Sequence, residues 1–461
     1  MNESTSFGPS FGLEILVPVT LLLLVPLALA FARSTSTAAR FVLVALWLRY
    51  IAGAYHLWMF RPLVAGLSGN AVLSIATTAI GLLFIVRFAN LAVRWLLPVY
   101  LLMAMLLASA VLNDDPTGAV NAIVKYLYYV VIAIAVYQAH RRDPEGRFVG
   151  WLMVAFLPLA VFQWLSVILH LPKGSELEDG LVWIGGYNHE AAFSVALVAG
   201  FVVGCFARAA HPLPRLVFLL AMLVGIQLAG YRTAIFAMGP LALATLWVGI
   251  TTSVRRDQRP FMAGVGAALA VILVGVAVVF YGSKFADIAT FAAHPGALIK
   301  PPSDFTWADK QVMSARAYIW SSYLYAWKEG GPVQHVFGFG PESWAGLFKV
   351  YPHNTLVSTV YELGLLGVLG MLLLWGTMLW AAITAKGERL MLISAHASFL
   401  LLNMATMPFW QVEGLGLYGF LCGYTIYRKS QSERRPRPDD YPARRAFAIA
   451  SARDVARESP A

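Results

Sequence analysis

Nearly all of the chain from Phe11 to Tyr427 consists of apolar segments of membrane-crossing length, joined by short polar loops. About 20 consecutive apolar residues cross the hydrocarbon core of a bilayer as a helix. Lipid offers no partner to a free backbone N–H or C=O, so segments of this kind must close their own hydrogen bonds as helices. They lie at 11–31, 41–60, 70–86, 95–112, 119–138, 148–170, 191–206, 213–230, 233–250, 261–280, 356–383, 390–410 and 415–427. The expected fold is an all-α, polytopic transmembrane helix bundle of about 12 or 13 helices, with one large extracytoplasmic loop containing short helices. Only 13% of the residues are charged, against about a quarter in a soluble domain, and the deficit runs through most of the chain. A single anchor helix therefore does not explain it. The first segment carries Ala28-Leu29-Ala30, which looks like a cleavage site, but Glu3 and Glu14 precede its core and no Lys or Arg does. That is the wrong charge for a secretory signal, and a retained helix is expected.

Alternate loops carry the positive charge. One set holds Arg33 and Arg40; Arg87 and Arg94; Arg141, Arg142 and Arg147; Arg208 and Arg215; Arg255, Arg256 and Arg259; Lys386 and Arg389. The other set holds Arg61, then Asp114 and Asp115, then Glu176, Glu178 and Asp179. Lys and Arg near span ends set orientation, so the first set is expected in the cytoplasm and the second outside. The chain then divides into N-terminal helices (1–280), a large outer loop (281–352), C-terminal helices (353–427) and a cytoplasmic tail (428–461). The loop holds Trp307, Tyr318, Trp320, Tyr323, Tyr325, Trp327 and Trp344, and the spacing of Trp320, Tyr323 and Trp327 predicts a helix lying in the membrane interface. The tail is rich in Arg, Pro, Ser and Asp and is expected to be disordered.

The net charge of +10 does not point to nucleic acid, since nine of the 34 basic residues lie in the tail and most others in loops of the positive set. Cys205 and Cys422 both sit inside apolar segments, so no disulfide framework is implied. No spacing of Cys, His and carboxylates resembles a zinc or calcium site. Two cations lie within spans: Arg49, whose depth has no explanation at this level, and Lys125, near the outer end of its segment.

The most specific stretch is Pro352 to Gly370. His353 and Asn354 are followed by nine residues, then Gly364, two more and Gly367. An imidazole thus stands at the outer mouth of a spanning helix, directly after the large loop, and the two glycines offer room for a second helix to approach. This arrangement resembles the O-antigen ligase and polymerase family, bacterial membrane glycosyltransferases acting on undecaprenyl-diphosphate-linked glycans. Ser314, Arg316, Trp320 and Phe337-Gly338-Phe339-Gly340 are similar to that family's Arg…Trp…FGxG pattern. Gly230-Tyr231-Arg232-Thr233 resembles its Arg-bearing break, and Gly185-Gly186-Tyr187-Asn188 its Gly–Asn segment. The resemblance runs from about Gly185 to the last helix. Val368 stands where ligases often carry Thr or Trp, which weighs toward the polymerase branch.

The resemblance implies an inverting, metal-independent transfer, without cofactor, at the periplasmic face of a bacterial inner membrane. The donor would be an undecaprenyl-diphosphate-linked glycan, the acceptor lipid A core or a second lipid-linked glycan, and the other contacts membrane lipids. His353 is then expected to activate the acceptor hydroxyl, and Arg232 and Arg316 to hold the diphosphate through planar donors. Lys125, Asn354, His189 and Glu190 are candidates for contacts to diphosphate or sugar. Plainer readings stand beside these: His353 as a helix cap, Arg232 as a cation reaching the headgroups, Arg316 as a partner of Asp309, and Glu362 as a buried polar contact. Two other functions remain open, a protein O-oligosaccharyltransferase and a transporter or flippase of lipid-linked sugars.

Overall fold

The computed structural model describes residues 10–64, 66–143, 145–174, 180–208 and 212–433. The acidic stretch Glu176, Glu178 and Asp179 and the tail beyond Glu433 lie outside the described residues. The N-terminal half consists of α1 (Leu13–Arg33), α2 (Thr37–Ala54), α3 (His56–Met59), α4 (Gly69–Ile80), α5 (Leu97–Leu112), α6 (Pro116–Arg142), α7 (Arg147–Leu152), α8 (Leu157–Ile168), α9 (Glu190–Phe206), α10 (Pro212–Leu228) and α11 (Arg232–Thr252). Then follow α12 (Arg259–Ala293), α13 (Pro295–Leu298), α14 (Trp307–Gln311), α15 (Arg316–Glu329), α16 (Pro332–Phe337), α17 (Thr355–Thr384), α18 (Arg389–Asn403) and α19 (Val412–Glu433). Two minimal hairpins, β1 (Pro62–Val64) with β2 (Leu67–Ser68) and β3 (Lys173–Gly174) with β4 (Leu181–Val182), close loops and add no sheet layer. The fold is an all-α bundle.

Among the described residues, eight helical stretches are long and apolar enough to cross a membrane: α1, α2, α5, α6, the α7–α8 run, α11, α12 and α17. Helices α4, α9, α10 and α18 are apolar but shorter, so length alone gives fewer spans than the 12 or 13 expected. The outer surface is apolar to a degree that water would not tolerate. Leu22, Val111 and Val279 are each more than 70% exposed, and α12 buries almost none of its apolar window. Lipid is the solvent that fits such a surface.

Two boundaries differ from the sequence reading. Helix α12 does not stop near 280 but continues to Ala293. Its 35 residues span roughly 50 Å at 1.5 Å per residue, well beyond a hydrocarbon core of about 30 Å. In the other direction, the segment 390–410 is helical only to Asn403. The Asn403 side chain turns back onto the Phe399 carbonyl and the Thr406 hydroxyl onto Leu402, and Pro408 has no N–H with which to continue a helix. Residues 404–411 therefore form a turn, and this turn becomes one wall of the site.

The tightest long-helix pair is α6 against α19. A Cβ added at Gly423 would lie 2.2 Å from the Ala133 carbonyl oxygen, and one at Gly419 3.1 Å from that of Tyr129. Small residues admit this approach in a membrane bundle, where helices gain little from hydrophobic association. Arg49 also finds its explanation here. Its Nε donates to Glu413 of α19 at 2.9 Å, and its NH1 reaches Asn70 and Ser74 of α4. The buried cation is a tie between three helices. At the end of the bundle that carries basic loops, Arg208 and Arg428 both meet Glu388.

Candidate functional site

Asn354 caps α17, its Oδ1 accepting from the N–H groups of Leu356 and Val357. This satisfies two of the donors that a helix start leaves open. The residue before it, His353, has φ 54, left-handed backbone that costs a non-glycine residue about 1–3 kcal/mol. His353 therefore does not cap the helix. Its ring is turned away, buried, and laid against Tyr351 at 3.9 Å between centroids. Its Nδ1 has no hydrogen-bond partner among the described residues.

Ten residues further along α17 the helix breaks at Gly364, with φ 65 and ψ −163. The carbonyls released by the break are taken by other segments. Phe339 N–H donates to Tyr361 O at 2.9 Å, Gly340 N–H to Glu362 O at 3.1 Å, and Ser109 Oγ of α5 to Glu362 O at 2.8 Å. A Cβ on Gly364 would lie 2.4 Å from the Val336 carbonyl carbon, and one on Gly338 2.3 Å from that of Glu362. The glycines of the Phe337–Gly340 run and of the α17 motif thus serve one junction. Of the two glycines expected to let another helix approach, Gly364 is the one at such a contact. Gly364 meets the end of the short α16, and Gly367 is crowded by Leu363 and Thr359 of its own helix.

Arg316 opens α15 immediately after Met313, Ser314 and Ala315, all with positive φ. Three successive left-handed L-residues are costly, and such strain is retained where surrounding structure imposes it. The Met313 N–H is held by Asp287 of α12 at 3.3 Å. Behind Arg316, α15 is fixed by its aromatic residues. Trp320 Nε1 donates to Pro352 O at 2.9 Å, Tyr323 OH to Val350 O at 2.8 Å, and both rings pack with Val357 and Tyr361 of α17. The expected interfacial stripe of Trp320 and Tyr323 is therefore buried against the site. Arg316 is not the partner of Asp309, which instead binds Lys300 and caps α14 with Thr306. Its own Nε is buried with no hydrogen-bond partner among the described residues.

Burial, the Arg316 guanidinium and the His189 ring together push the His353 imidazole down to about 3. Arg316 and His189 are thus near enough for their charge to be felt at His353, although the three residues are distant in sequence. At neutral pH the ring is uncharged, with a lone pair or a proton at Nδ1 that the protein leaves unused. His189 itself caps α9 by accepting the Ala191 N–H at its Nδ1, and Glu190 is buried in the first turn of that helix.

The start of α11, where Arg232 stands, is tied to the 404–411 turn. Arg232 is the first residue of α11, half-buried, and its neighbour Tyr231 donates its hydroxyl to Ala405 O at 3.3 Å. Asn354 Nδ2 donates to the adjoining Met404 O at 3.0 Å. The 404–411 turn thus staples the start of α11 to the start of α17. Asn354 thus positions these segments, with Oδ1 on the α17 start and one Nδ2 proton on Met404.

Lys125 pairs with Glu342 and stands over the Trp410 ring at 5.0 Å. Trp410 in turn stacks on Tyr351 at 5.5 Å, so two rings lie between Lys125 and His353. Lys125, Glu342, Glu362 and Trp410 line a cavity of about 60 Å³ together with Thr355, Ser358 and Thr359 of α17. Glu362 is a buried polar contact without a bond to His353: it accepts from Ser358 Oγ and from the Glu342 N–H at 2.8 Å. Sequence reasoning missed Tyr351, Glu342 and Trp410. The one available signal was Pro408-Phe409-Trp410, a proline and aromatic residues interrupting an apolar segment.

Taken as a surface, the site has a cationic side (Arg316, with His189 close by), a neutral imidazole with a free ring nitrogen, and an aromatic wall leading to a carboxylate-lined cavity. Such a surface can hold an anion beside a group able to accept a proton. No protein-family model and no curated protein matches the chain.

Proposed function

We propose that the chain is a membrane glycosyltransferase that moves a glycan from undecaprenyl diphosphate to an acceptor hydroxyl, in the manner of the O-antigen ligases and polymerases. The reaction would take place at the periplasmic face of a bacterial inner membrane, with the tail in the cytoplasm. The observation carrying this reading is that Arg316 and His353 each keep a buried, unpartnered polar nitrogen while Trp320, in the helix Arg316 opens, is bonded to Pro352 beside His353. The chemistry requires that pair. The acceptor oxygen attacks the anomeric carbon, forming a C–O bond as the bond to the diphosphate oxygen breaks and its electron pair leaves with the diphosphate. The hydroxyl proton passes to His353 Nδ1. Arg316, with Arg232 carried to the same mouth by Tyr231, faces the charge that develops on the leaving group.

The depressed basicity of His353 fits this scheme. Part of the depression comes from Arg316, so a diphosphate bound against Arg316 offsets that charge and restores basicity once donor is present. The weighting toward a polymerase still rests on Val368.

The test is glycan analysis in a deletion strain complemented with wild type, His353→Ala or Arg316→Ala, with membrane levels checked by blot. The expected result is normal insertion with loss of long glycan. Single repeats left on the carrier lipid identify a polymerase, and polymerised glycan on the carrier beside bare lipid A core identifies a ligase. Wild-type glycan from both variants at wild-type levels rejects the assignment and moves transport ahead.

A further inference from the structure

We infer that the cavity beyond Trp410 is the acceptor subsite, taking the hydroxyl edge of a sugar on the side of His353 away from Arg316. The inference rests on the transferase reading and adds to it which residues recognise the second substrate. A continuous run of contacts connects the two sides. His353 lies against Tyr351, Tyr351 stacks on Trp410, and Trp410 meets Trp344 edge-on at 5.6 Å. Lys125 then sits over Trp410 and pairs with Glu342. The indole N–H groups of Trp344 and Trp410 and the Gln411 Oε1 are buried with no hydrogen-bond partner among the described residues. Buried polar atoms are ordinarily satisfied, so the unpartnered Trp410 N–H, on a residue that lines the cavity, is one that a ligand there can engage.

The chemistry of the lining selects the ligand class. Glu342 and Glu362 disfavour a diphosphate, which belongs beside Arg316. Among apolar neighbours that include Leu106, Leu363, Met371 and Phe409, the carboxylates, the Lys125 ammonium, the hydroxyls and the Trp410 indole offer the mixed acceptors and donors that vicinal sugar hydroxyls need. Space narrows it further. A cavity of about 60 Å³ holds a few waters or the hydroxyl edge of one sugar. The Trp410 ring is already covered by Tyr351 and Lys125, so it acts through its N–H and not as a stacking platform. A sugar held there by Glu342 and Trp410 presents its free hydroxyl along the aromatic wall toward His353.

The experiment is saturation-transfer NMR on the full chain in lipid nanodiscs. The probes are the methyl glycosides of glucose, galactose, N-acetylglucosamine and rhamnose, and, separately, farnesyl diphosphate. At least one glycoside is expected to bind the wild type, and Glu342→Gln and Trp410→Phe each weaken it about tenfold, the effect of one hydrogen bond to a charged or buried partner. Arg316→Gln leaves glycoside binding unchanged and weakens farnesyl diphosphate instead. Retained farnesyl diphosphate binding by Glu342→Gln and Trp410→Phe shows that these variants are folded. The inference is overturned if no glycoside binds, if glycoside binding is indifferent to Glu342 and Trp410, or if it depends on Arg316. Farnesyl diphosphate binding that ignores Arg316 counts against the transferase reading, a separate failure.

Discussion

Gly338 and Gly364 abut backbone against backbone, each in positive-φ geometry and each placed where a Cβ would strike the other's strand of chain. The contact turns the break in α17 into a junction, because the carbonyls of Tyr361 and Glu362 gain new donors from Phe339 and Gly340. The same junction holds Glu342 and the cavity at a fixed distance along α17 from His353.

Gly364→Ala is therefore expected to destabilise the protein. The left-handed backbone alone costs about 1–3 kcal/mol, and the steric conflict with Val336 adds to it. Thermal unfolding in detergent should show a lowered Tm and transfer should fall with it. Gly376→Ala on the same helix, where an added Cβ meets nothing within 4 Å, should leave both unchanged. Equal Tm values for the two variants would remove the junction argument.

The pair Arg49–Glu413 makes a second prediction. Its side chains are 8% and 17% exposed, so removing one partner strands a charge in the bundle. Arg49→Met should cost about 3–5 kcal/mol, the range for breaking buried pairs, and Arg49→Met with Glu413→Met should recover much of the loss. Melting of the single and double variants decides it, and a double variant no better than the single would show that the pair is not the tie between helices.

The acid response of stability should carry the signature of His353. Its native value of about 3 lies below the ordinary 6.5 because of burial, Arg316 and His189. Between those limits the unfolded chain binds a proton that the native chain does not, so stability is lost as pH falls through that window and is constant above it. His353→Gln should melt with a smaller difference between about pH 7 and about pH 5 than wild type does. An identical difference would mean that the imidazole titrates alike in the native and unfolded chains.

Tyr323→Phe deletes the hydroxyl bond to the Val350 carbonyl while keeping the ring. A loss of about 1 kcal/mol is expected for one such bond. The Val350–His353 segment should then become more open to protease, and transfer should fall more than membrane level does. Unchanged cleavage and unchanged transfer would show that α15 does not position His353.

The apolar segments, the His353-Asn354 motif and the Phe337–Gly340 run were legible because each is local: hydrophobicity, a cap and glycine placement are properties of a few adjacent residues. The roles of Asn354, Lys125 and Arg49 were not. Asn354 is spent on Met404, Lys125 on Glu342 and Arg49 on Glu413, partners that sequence distance conceals. An apolar run also reads alike whether it is one span or a helix ending in a turn, which is why 390–410 hid the wall containing Trp410.

By itself, the sequence determined that this chain is a bundle of membrane-crossing helices with an imidazole at the mouth of one of them. Lipid leaves a backbone no alternative to helix, so composition and segment length suffice for that much. Which charges are tied off and which remain open toward a ligand was decided only by the tertiary structure. An ion pair or an unpartnered nitrogen exists only once segments remote in the chain are brought within hydrogen-bond reach.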